Sequence, residues 1–338
     1  MRARENCREV RNLDKLLTVS VAAYNGAATL QRALDSCITP NSDQLEVWII
    51  DDGSTDQTAA IAELYVSRYP ELFHLYRQAN GGYGSTIEAA LQRAKGKYFR
   101  TLDCDDWFEA GALENLLPYL ASSCSDIVYT NYKTVQDDAT LQTYPVCNGM
   151  DPDAQYTFED LRGTDLCMEM HGMTFRTEAL RQANLNLPHH CHYTDMLYTF
   201  CGVQASQTIS FCPVTLYCYR LGRDGQSVSL ESYRKHFDNY EKVAFLIAER
   251  AQGLAGSSAK EQLLIWRARD VAQHGIEICL RQPCSWAVWR TLKGYDKRCV
   301  HQYPKIARAI QNKNTRFLRV SWYGMYPLLG WWERRKYI

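Results

Sequence analysis

The chain has 338 residues, 46% of them hydrophobic and 22% charged, an ordinary composition for a globular protein of one or two domains. Its formal net charge is zero, so no overall field attracts nucleic acid, and we expect no nucleic-acid partner. No run approaches the ~20 apolar residues of a membrane span, and the charged N-terminus lacks a signal-peptide core, so we expect a cytoplasmic protein.

Strand and helix signals alternate through the first half of the chain. Runs rich in apolar and β-branched residues predict strands at 16–23, 45–50, 72–77, 98–102 and 126–133. Apolar residues at helical spacing predict helices at 27–37, 55–68, 84–94 and 110–120. This alternation is typical of a mostly parallel sheet flanked by helices, so we predict an α/β fold.

The second half of the chain has a different texture. Residues 134–160 are polar and contain glycine and proline, which predicts a loop or excursion. After residue 230, helical patterns predominate, and helices are predicted at 233–250, 258–280 and 303–311. We therefore predict an α/β domain over residues 1–230 and a helical C-terminal region over residues 231–338.

Thirteen cysteines are scattered along the chain, and none forms a Cys-x-x-Cys pair. This spacing does not indicate a zinc ribbon, a redox motif or a disulfide scaffold. Free thiols fit a reducing compartment, in agreement with the expected cytoplasmic location.

Two acidic segments lie about fifty residues apart, each directly after a predicted strand. Residues 51–56 read DDGSTD, and residues 103–107 read DCDDW. Carboxylates at the carboxyl ends of strands point into the crevice where open α/β sheets bind ligands. Crowded carboxylates repel one another and need a cation or hydrogen-bond donors between them. The alternative, that these acids cap the next helix, fits residues 54–56 well but fits three carboxylates within four residues poorly.

Five segments occur in the order found in family 2 of the glycosyltransferases: residues 19–25, 51–56, 80–84, 94–98 and 102–107. Together they resemble that family, and bacterial capsular and exopolysaccharide-type members in particular. The resemblance is firm over residues 16–130, continues to about residue 230 and leaves out the C-terminal third. It implies a GT-A fold, with a nucleotide-sugar half at about 16–130 and an acceptor half at about 131–230.

The resemblance also implies an activity. Family members are inverting enzymes, so we expect transfer from a nucleotide-diphosphate sugar, a UDP-sugar in the first place, with Mn²⁺ or Mg²⁺. The acceptor would be a hydroxyl of a cell-surface glycan or of a lipid-linked intermediate. A catalytically silent nucleotide-sugar-binding module that docks a partner through its helical tail is the alternative. A nucleotidyltransferase fits less well, because the phosphate loop expected after the first strand is absent.

The donor site implied by the resemblance is spread over the first two strands and a glycine-rich loop. Tyr24 occupies the position that packs on the nucleotide base, and Asp52 the position that binds the base. The other expected nucleotide-sugar contacts are Ala22, Asn25, Asn80, Gly81 and Gly82, and Asn25 and Asp51 are expected to brace the loop. For Tyr24 the alternative is a buried aromatic residue that closes the first helix.

The segment Asp103-Cys104-Asp105 matches the Asp-x-Asp motif of the family. The resemblance assigns Asp103 to the ribose or the metal ion and Asp105 to the metal ion, with Cys104 beside them. Mn²⁺ and Mg²⁺ both suit a carboxylate and diphosphate oxygen shell. Asp106 could instead support a ligand or the turn. Trp107 could form a wall of the sugar pocket or lie in the core.

The catalytic base is expected at Asp195, which occupies the acidic position of the family segment at the start of a helix. A single displacement with inversion needs one carboxylate on the acceptor side to take the hydroxyl proton. An acid favoured by the helix dipole is the alternative. His171 could contact the acceptor or phosphate, or be a core histidine. Arg220 and Arg223 could clamp the diphosphate, or form part of a solvated turn.

Two other features complete the sequence-based picture. Residues 189–192 read HHCH, but adjacent residues lack zinc-ligand spacing, so we do not predict a metal site there. From residue 290 onward the chain has twelve basic and two acidic residues, interleaved with tryptophan and tyrosine. This C-terminal tail could lie peripherally on the inner face of the plasma membrane. A tail that packs on the protein, or forms a subunit contact, is the alternative.

Overall fold

The computed structural model describes residues 15–164, 166, 168–222 and 226–335. The described residues form two compact units, divided between residues 222 and 226. The first unit is α/β and the second is helical. The boundary predicted near residue 230 lies a few residues inside the second unit, at the start of a helix.

One mixed sheet organises the first unit. Its order is β3-β2-β1-β4-β9-β6-β10-β5, with β7 paired to β6 and β8 paired to β10. The strands are β1 (Lys15–Ala23), β2 (Leu45–Asp51), β3 (Phe73–Arg77), β4 (Gly96–Asp103), β5 (Trp107–Phe108), β6 (Ile127–Gln136), β7 (Ala139–Tyr144), β8 (Tyr156–Thr157), β9 (Met173–Arg176) and β10 (Thr208–Arg220).

The four strands β3, β2, β1 and β4 are parallel neighbours, as the alternation of elements predicts. Strands β1, β2 and β4 are buried along most of their length and are rich in apolar residues, as expected for strands covered on both faces, whereas the edge strand β3 is mostly half-buried. Register places Ala23 opposite Asp51 and Ala22 opposite Asp103. Both acidic segments therefore begin at the same edge of the sheet. The α/β prediction is confirmed, and antiparallel pairing begins at β9, which lies between β4 and β6.

The helices of the first unit flank this sheet. Its covered core is built from apolar residues of β1, β2 and the helices, with Leu17, Val19, Leu34 and Leu116 among those with no solvent exposure. The helices are α1 (Leu30–Asp35), α2 (Thr58–Arg68), α3 (Tyr83–Arg93), α4 (Ala112–Ser122), α5 (Thr177–Gln182) and α6 (Thr194–Ala205).

The segment predicted as a loop at residues 134–160 contains strand β7 and the two-residue strand β8. Strand β6 continues to Gln136, turns at Asp137 and Asp138, and returns as β7, antiparallel to it. The two aspartates adopt φ values of 48° and 63°, the left-handed conformation that tight hairpin turns require. Strand β7 is almost wholly exposed, so its sequence lacks the alternation of apolar and polar residues that would reveal a strand.

Seven helices are described in the second unit. The helix predicted at 233–250 is divided into two helices at His236. The sequence-based prediction did not include the helices at 286–302, 313–320 and 326–335. Serine side chains cap α9 and α10, at Ser258 and Ser285. The helices are α7 (Leu230–Lys235), α8 (Phe237–Gln252), α9 (Ala259–Arg281), α10 (Trp286–Gln302), α11 (Pro304–Ala309), α12 (Lys313–Val320) and α13 (Tyr326–Arg335).

Cysteines and membrane spans can be compared with the expectations from sequence. Ten cysteines in the described residues carry free thiols, whereas Cys124 is disulfide-bonded. The expectation of free thiols therefore holds for these ten but fails at Cys124. None of the helices among the described residues combines the length and apolar character needed to cross a membrane.

Candidate active site

The segment after β2 braces the loop that follows β1. The Asp51 carboxylate is fully buried, accepts a hydrogen bond from the Ser54 amide at 3.0 Å and pairs with Nε of Arg77 at 3.2 Å. Asn25 has a φ of 48°, and its side-chain oxygen accepts a hydrogen bond from the Thr55 amide at 2.8 Å. The contacts that Asn25 and Asp51 make are those expected of bracing residues.

Asp52 organises the glycine-rich loop. Its Oδ1 accepts hydrogen bonds from the Gly81 amide and from Nε2 of Gln78, and its Oδ2 accepts one from the Gly82 amide, all at 2.8 Å. The side chain of Asn80 in turn donates to the Asp52 carbonyl at 3.1 Å. A carboxylate offers about four lone-pair directions, so three donors leave one for a ligand group.

Tyr24 follows β1 at the same edge of the sheet. Its side chain is 54% exposed, which excludes the alternative of a buried aromatic residue closing the first helix. Ala22, two residues earlier, is half-buried and lies opposite Asp103. An exposed ring beside a carboxylate at the end of neighbouring strands is a suitable surface for a planar base.

The second acidic segment brings three carboxylates together. Oxygen atoms of Asp103, Asp105 and Asp106 lie within 4.8 Å of one another, and among the described residues no other set of three or more His, Cys, Asp or Glu side chains is grouped in this way. Asp103 and Asp105 are half-buried, whereas Asp106 is buried.

Asp106 has a different role from its two neighbours. Its Oδ2 accepts a hydrogen bond from the Tyr217 hydroxyl at 2.7 Å, and its Oδ1 accepts one from the Arg220 amide at 2.7 Å. The Tyr217 oxygen also accepts from the Asp103 amide at 3.2 Å. Burial raises the pKa of Asp106 well above its ordinary value, and the charges of Asp103 and Asp105 raise it further. These bonds tie the acidic segment to β10.

The acidic group suits a hard divalent cation. Carboxylate oxygens are the preferred ligands of Mg²⁺ and Mn²⁺, and the half-buried Asp103 and Asp105 are the members that would hold the ion. Between them, Cys104 packs against Gly26, where a β-carbon would come within 2.7 Å of the Cys104 sulfur. Close packing at this point fixes the loop that carries both aspartates.

Tyr83, the first residue of α3, is a site residue that the motif search did not assign. Its hydroxyl donates to Oδ1 of Asp103 at 2.7 Å and lies 3.6 Å from the Met170 sulfur. Burial raises the pKa of Tyr83 well above its ordinary value, and the charges of Asp103 and Asp195 raise it further. The phenol is therefore a protonated donor. The signal in the sequence is its place directly after the glycine pair.

Asp195 lies in the first turn of α6, near the acidic group. Its charge adds to the raised pKa of Tyr83, which bonds Asp103. Burial raises the pKa of Tyr219, and the charges of Asp106, Asp103, Asp195 and Asp105 raise it further. The helix starts after Tyr193, which has a φ of 66°. Asp195 is far from Asp103 in sequence, yet the charges of both raise the pKa of Tyr83 and of Tyr219. We infer that these carboxylates lie around one site.

The glycines before α3 let the chain approach itself. Gly82 has a φ of +82°, and a β-carbon there would lie 3.0 Å from the His190 amide nitrogen. At Gly84 it would lie 2.8 Å from the Leu187 side chain. The His190 amide donates to the Gly81 carbonyl at 2.6 Å. These glycines thus admit the segment that leads into α6, and so bring Asp195 toward Tyr83.

His171 is half-buried in an aromatic group beside β10. Its ring stacks on Tyr219 with centroids 4.2 Å apart, and contacts Tyr217 at 4.9 Å and Tyr132 at 5.5 Å. Burial lowers the pKa of His171 to about 4, and the Arg100 charge contributes to the shift. The ring is therefore neutral at pH 7, so it cannot act as a cationic phosphate clamp there.

Arg100 is a second residue that the motif search did not assign. It is fully buried in β4, three residues before Asp103, and donates to Oγ1 of Thr174 at 2.8 Å and to the His171 carbonyl. Burial lowers its pKa to about 10. A charged residue within an apolar strand signal marks it in the sequence. Its bonds fix the turn that carries His171.

Trp107 and Arg220 meet at a cavity of about 300 Å³ next to the acidic segment. Trp107 is only 9% exposed, and the guanidinium carbons of Arg32 and Arg220 lie 3.4 and 5.2 Å from the centre of its ring. Arg32 also pairs with Asp138 at 2.5 Å. The indole thus lies beside two guanidinium groups and is mostly buried. Arg223, the second predicted clamp, lies outside the described residues.

Comparisons with known proteins agree with this architecture. Residues 18–183 match the model of glycosyl transferase family 2. The chain is 27% identical over 237 residues to chondroitin synthase of Pasteurella multocida and 32% identical over 171 residues to hyaluronan synthase of the same species. These matches cover 70% and 50% of this chain, but only 23% and 16% of the relatives.

Among solved structures, residues 1–349 of TarS from S. aureus, in complex with UDP-GlcNAc, share the fold. The TM-score is 0.65 at 18% identity, and the match covers 95% of this chain and 89% of the TarS chain. The mixed sheet and its flanking helices therefore define a GT-A-type protein. Residues 18–183, just under half of the chain, form a domain of glycosyltransferase family 2.

Proposed function

We propose that the protein is a metal-dependent, inverting glycosyltransferase that moves a sugar from a nucleotide-diphosphate donor, in the first place a UDP-sugar, to a hydroxyl group. The observation that carries the proposal is the grouping of Asp103, Asp105 and Asp106 within 4.8 Å at the edge where Tyr24 and Asp52 also lie. The family 2 domain at residues 18–183 supports glycosyl transfer, and the site supplies groups suited to the base and the diphosphate of a nucleotide sugar.

The donor would lie across the ends of β1, β2 and β4. The exposed Tyr24 ring offers a face to the base, and Asp52 keeps a lone-pair direction that can accept a base N–H. Asp52 positions the Gly81–Gly82 backbone at the same time. Asp103 and Asp105 would hold Mn²⁺ or Mg²⁺, which when bound neutralises charge on the diphosphate.

The displacement itself would use Asp195 as the general base. The acceptor hydroxyl gives its proton to the Asp195 carboxylate while the hydroxyl oxygen forms a bond to C1 of the sugar. The bond between C1 and the phosphate oxygen breaks, and the nucleoside diphosphate leaves with that electron pair. One displacement inverts the anomeric configuration. Asp195 then returns its proton to solvent.

We further propose that the acceptor is a growing cell-surface glycan or a lipid-linked intermediate, and that transfer occurs in the cytoplasm. The similarity to chondroitin and hyaluronan synthases supports the acceptor class. The support for the location is that ten of the eleven described cysteines have free thiols, all but the disulfide-bonded Cys124, and free thiols suit a reducing compartment. Because the chain spans less than a quarter of either relative, their products define a class of acceptor rather than a particular one.

A donor screen tests the proposal. UDP- and GDP-sugars are incubated with the protein and Mn²⁺ or Mg²⁺, with and without glycan acceptors, and released UDP or GDP is measured. We expect one donor to release nucleotide and to form a product of inverted configuration. Donor binding without release, with every acceptor class tested, would instead identify a silent binding module.

A further inference from the structure

The last two helices of the tail, α12 and α13, each have a buried and an exposed face. On α12, Thr315 and Leu318 are buried, while Phe317 and Val320 are 49% and 78% exposed. On α13, Tyr326 and Leu329 are buried, while Leu328, Trp331 and Trp332 are 44–58% exposed. The tail therefore packs through one face and presents large apolar side chains on the other, which is uncommon on a soluble surface.

The acidic and basic side chains of the tail are also divided between its interior and its surface. The two acidic residues after position 290 are internal. Asp296 accepts from Nη2 of Arg319 at 2.7 Å and from the Tyr323 hydroxyl at 2.8 Å, and Glu333 accepts from the side-chain Nδ2 of Asn314 at 2.7 Å. Both are at most 5% exposed. Within the described residues 290–335, every exposed ionisable side chain other than His301 is thus a lysine or an arginine.

An indole patch lies on α10 and on the turn between α12 and α13. The Trp286 and Trp289 rings stack with centroids 4.3 Å apart, and Nε1 of Trp289 donates to the Tyr323 carbonyl at 3.1 Å. Nζ of Lys293 lies 4.3 Å from the centre of the Trp289 ring. Trp286 is 62% exposed, and Trp322, next to Tyr323, is 84% exposed. The indole patch comprises Trp286, Trp289, Lys293 and Trp322.

Backbone strain holds Trp322 outward. Trp322 and Tyr323 have φ values of 53° and 66°, a left-handed conformation that bulky residues rarely adopt. In this conformation the Tyr323 hydroxyl donates to the buried Asp296, while the Trp322 side chain is exposed to solvent. Strain of this kind persists where the surrounding structure enforces it, and it often marks a functional surface.

We propose that this surface binds the headgroup layer of an anionic lipid membrane. Indoles partition into the interface between headgroups and acyl chains, and lysines and arginines bind lipid phosphates around them. A surface whose exposed charges include no acidic residue is complementary to an anionic membrane. A protein partner of mixed charge would not require this absence of acidic residues. The proposal concerns the second unit alone and does not depend on which sugar the first unit transfers.

Vesicle co-sedimentation of the full-length protein tests the proposal. Vesicles of phosphatidylglycerol mixed with phosphatidylcholine are compared with vesicles of phosphatidylcholine alone, at low and high salt. We expect binding to the anionic vesicles only, with a steep decrease as salt rises, because exposed charges are screened. Equal binding to both compositions, or no binding to either, would overturn the proposal.

Matched variants separate a membrane surface from a structural one. Trp322→Ser removes the most exposed indole, and Leu64→Ser removes an exposed apolar side chain of the first unit that is 69% exposed. The double variant Arg290→Gln and Arg316→Gln has its counterpart in Arg68→Gln and Lys95→Gln. We expect the tail double variant to lower vesicle partitioning roughly 30-fold, and the counterparts to leave it unchanged.

Two results would assign the surface to another partner. If Trp322→Ser binds anionic vesicles as well as the Leu64→Ser protein does, the indole patch is not the membrane contact. If the protein forms a dimer without lipid, and Trp322→Ser is monomeric, the surface joins two copies of the chain. Circular dichroism of each variant confirms that the helices are retained in these comparisons.

Discussion

The Tyr83 hydroxyl donates a 2.7 Å hydrogen bond to Oδ1 of Asp103, and this bond links the start of α3 to the acidic segment after β4. The charge of Asp195 also contributes to the raised pKa of Tyr83. Tyr83 is therefore coupled to both the proposed metal-holding side and the proposed acceptor side of the site. Its removal should therefore disturb the position of Asp103 without removing any proposed ligand.

For Tyr83→Phe we expect weaker Mn²⁺ and donor binding, by roughly 10-fold, because a hydrogen bond to a charged group contributes about 1.5–3 kcal/mol. Isothermal titration of Mn²⁺ in the presence of UDP measures the effect. Tyr119→Phe is the matched control, since its hydroxyl donates to the Pro152 carbonyl at 2.8 Å far from the acidic group. Unchanged Mn²⁺ affinity in Tyr83→Phe would show that the bond does not position Asp103.

The neighbours Asp105 and Asp106 should respond differently to the same substitution. Asp105→Asn should remain folded but lose activity by roughly 10²–10³-fold, as should the wild type in excess EDTA, because the metal ion stabilises transition-state charge by several kcal/mol. Asp106→Asn should lower the free energy of unfolding by about 1–3 kcal/mol, because an amide cannot accept from both Tyr217 and Arg220 through two oxygens. Activity assays and urea unfolding together distinguish them. Full activity in EDTA would contradict the metal proposal.

Asp195→Asn tests the general base. We expect donor binding to be retained and transfer to slow by about 10²–10⁴-fold, the usual contribution of a positioned base. Glu178→Gln, which removes an acid from the first turn of α5, controls for the loss of a charge at a helix N-terminus. Equal effects of the two substitutions, or a product of retained configuration, would move the role away from Asp195.

Gly82→Ala tests whether the glycine pair admits the segment before α6. The substitution combines an unfavourable φ of +82° with a contact of 3.0 Å to the His190 amide nitrogen. Gly163→Ala is matched, since its φ is +85° and nothing lies within 4 Å of the added β-carbon. Gly163→Ala should cost about 1 kcal/mol from its backbone alone, and Gly82→Ala distinctly more, with a loss of transfer activity. Thermal unfolding and initial rates of both variants provide the comparison, and equal costs would refute the packing role.

The buried His171 should make stability depend on pH. Its folded-state pKa, about 4, lies below the ordinary value of 6.5, so between these values the unfolded chain binds more protons. Stability should therefore fall as pH decreases from 7 to 5, and His171 should account for about 2 kcal/mol of that loss. His171→Gln should flatten this part of the profile in urea unfolding at several pH values. A His171→Gln profile as steep as the wild type would exclude His171 as the cause.

Local sequence determined where the chemistry of this protein is placed along the chain. Apolar runs followed by aspartates predicted β2 and β4 and the edge at which Tyr24, Asp52 and Asp103 meet, because parallel strands align their carboxyl ends. Strong periodicity likewise predicted α9 within one residue at each end. The exposed strand β7 and the capped helix α10 were missed, since neither has a clear apolar period.

Only the tertiary structure decided what individual residues of those motifs do. Three aspartates that look equivalent in sequence divide into the half-buried Asp103 and Asp105 and the buried Asp106, because Tyr217 and the Arg220 amide come from a strand more than a hundred residues away. Gly82 allows the His190 backbone to approach closely, and both acidic residues of the tail, Asp296 and Glu333, are buried. Such assignments depend on long-range contacts, and no local pattern of residues encodes which distant side chain will arrive beside it.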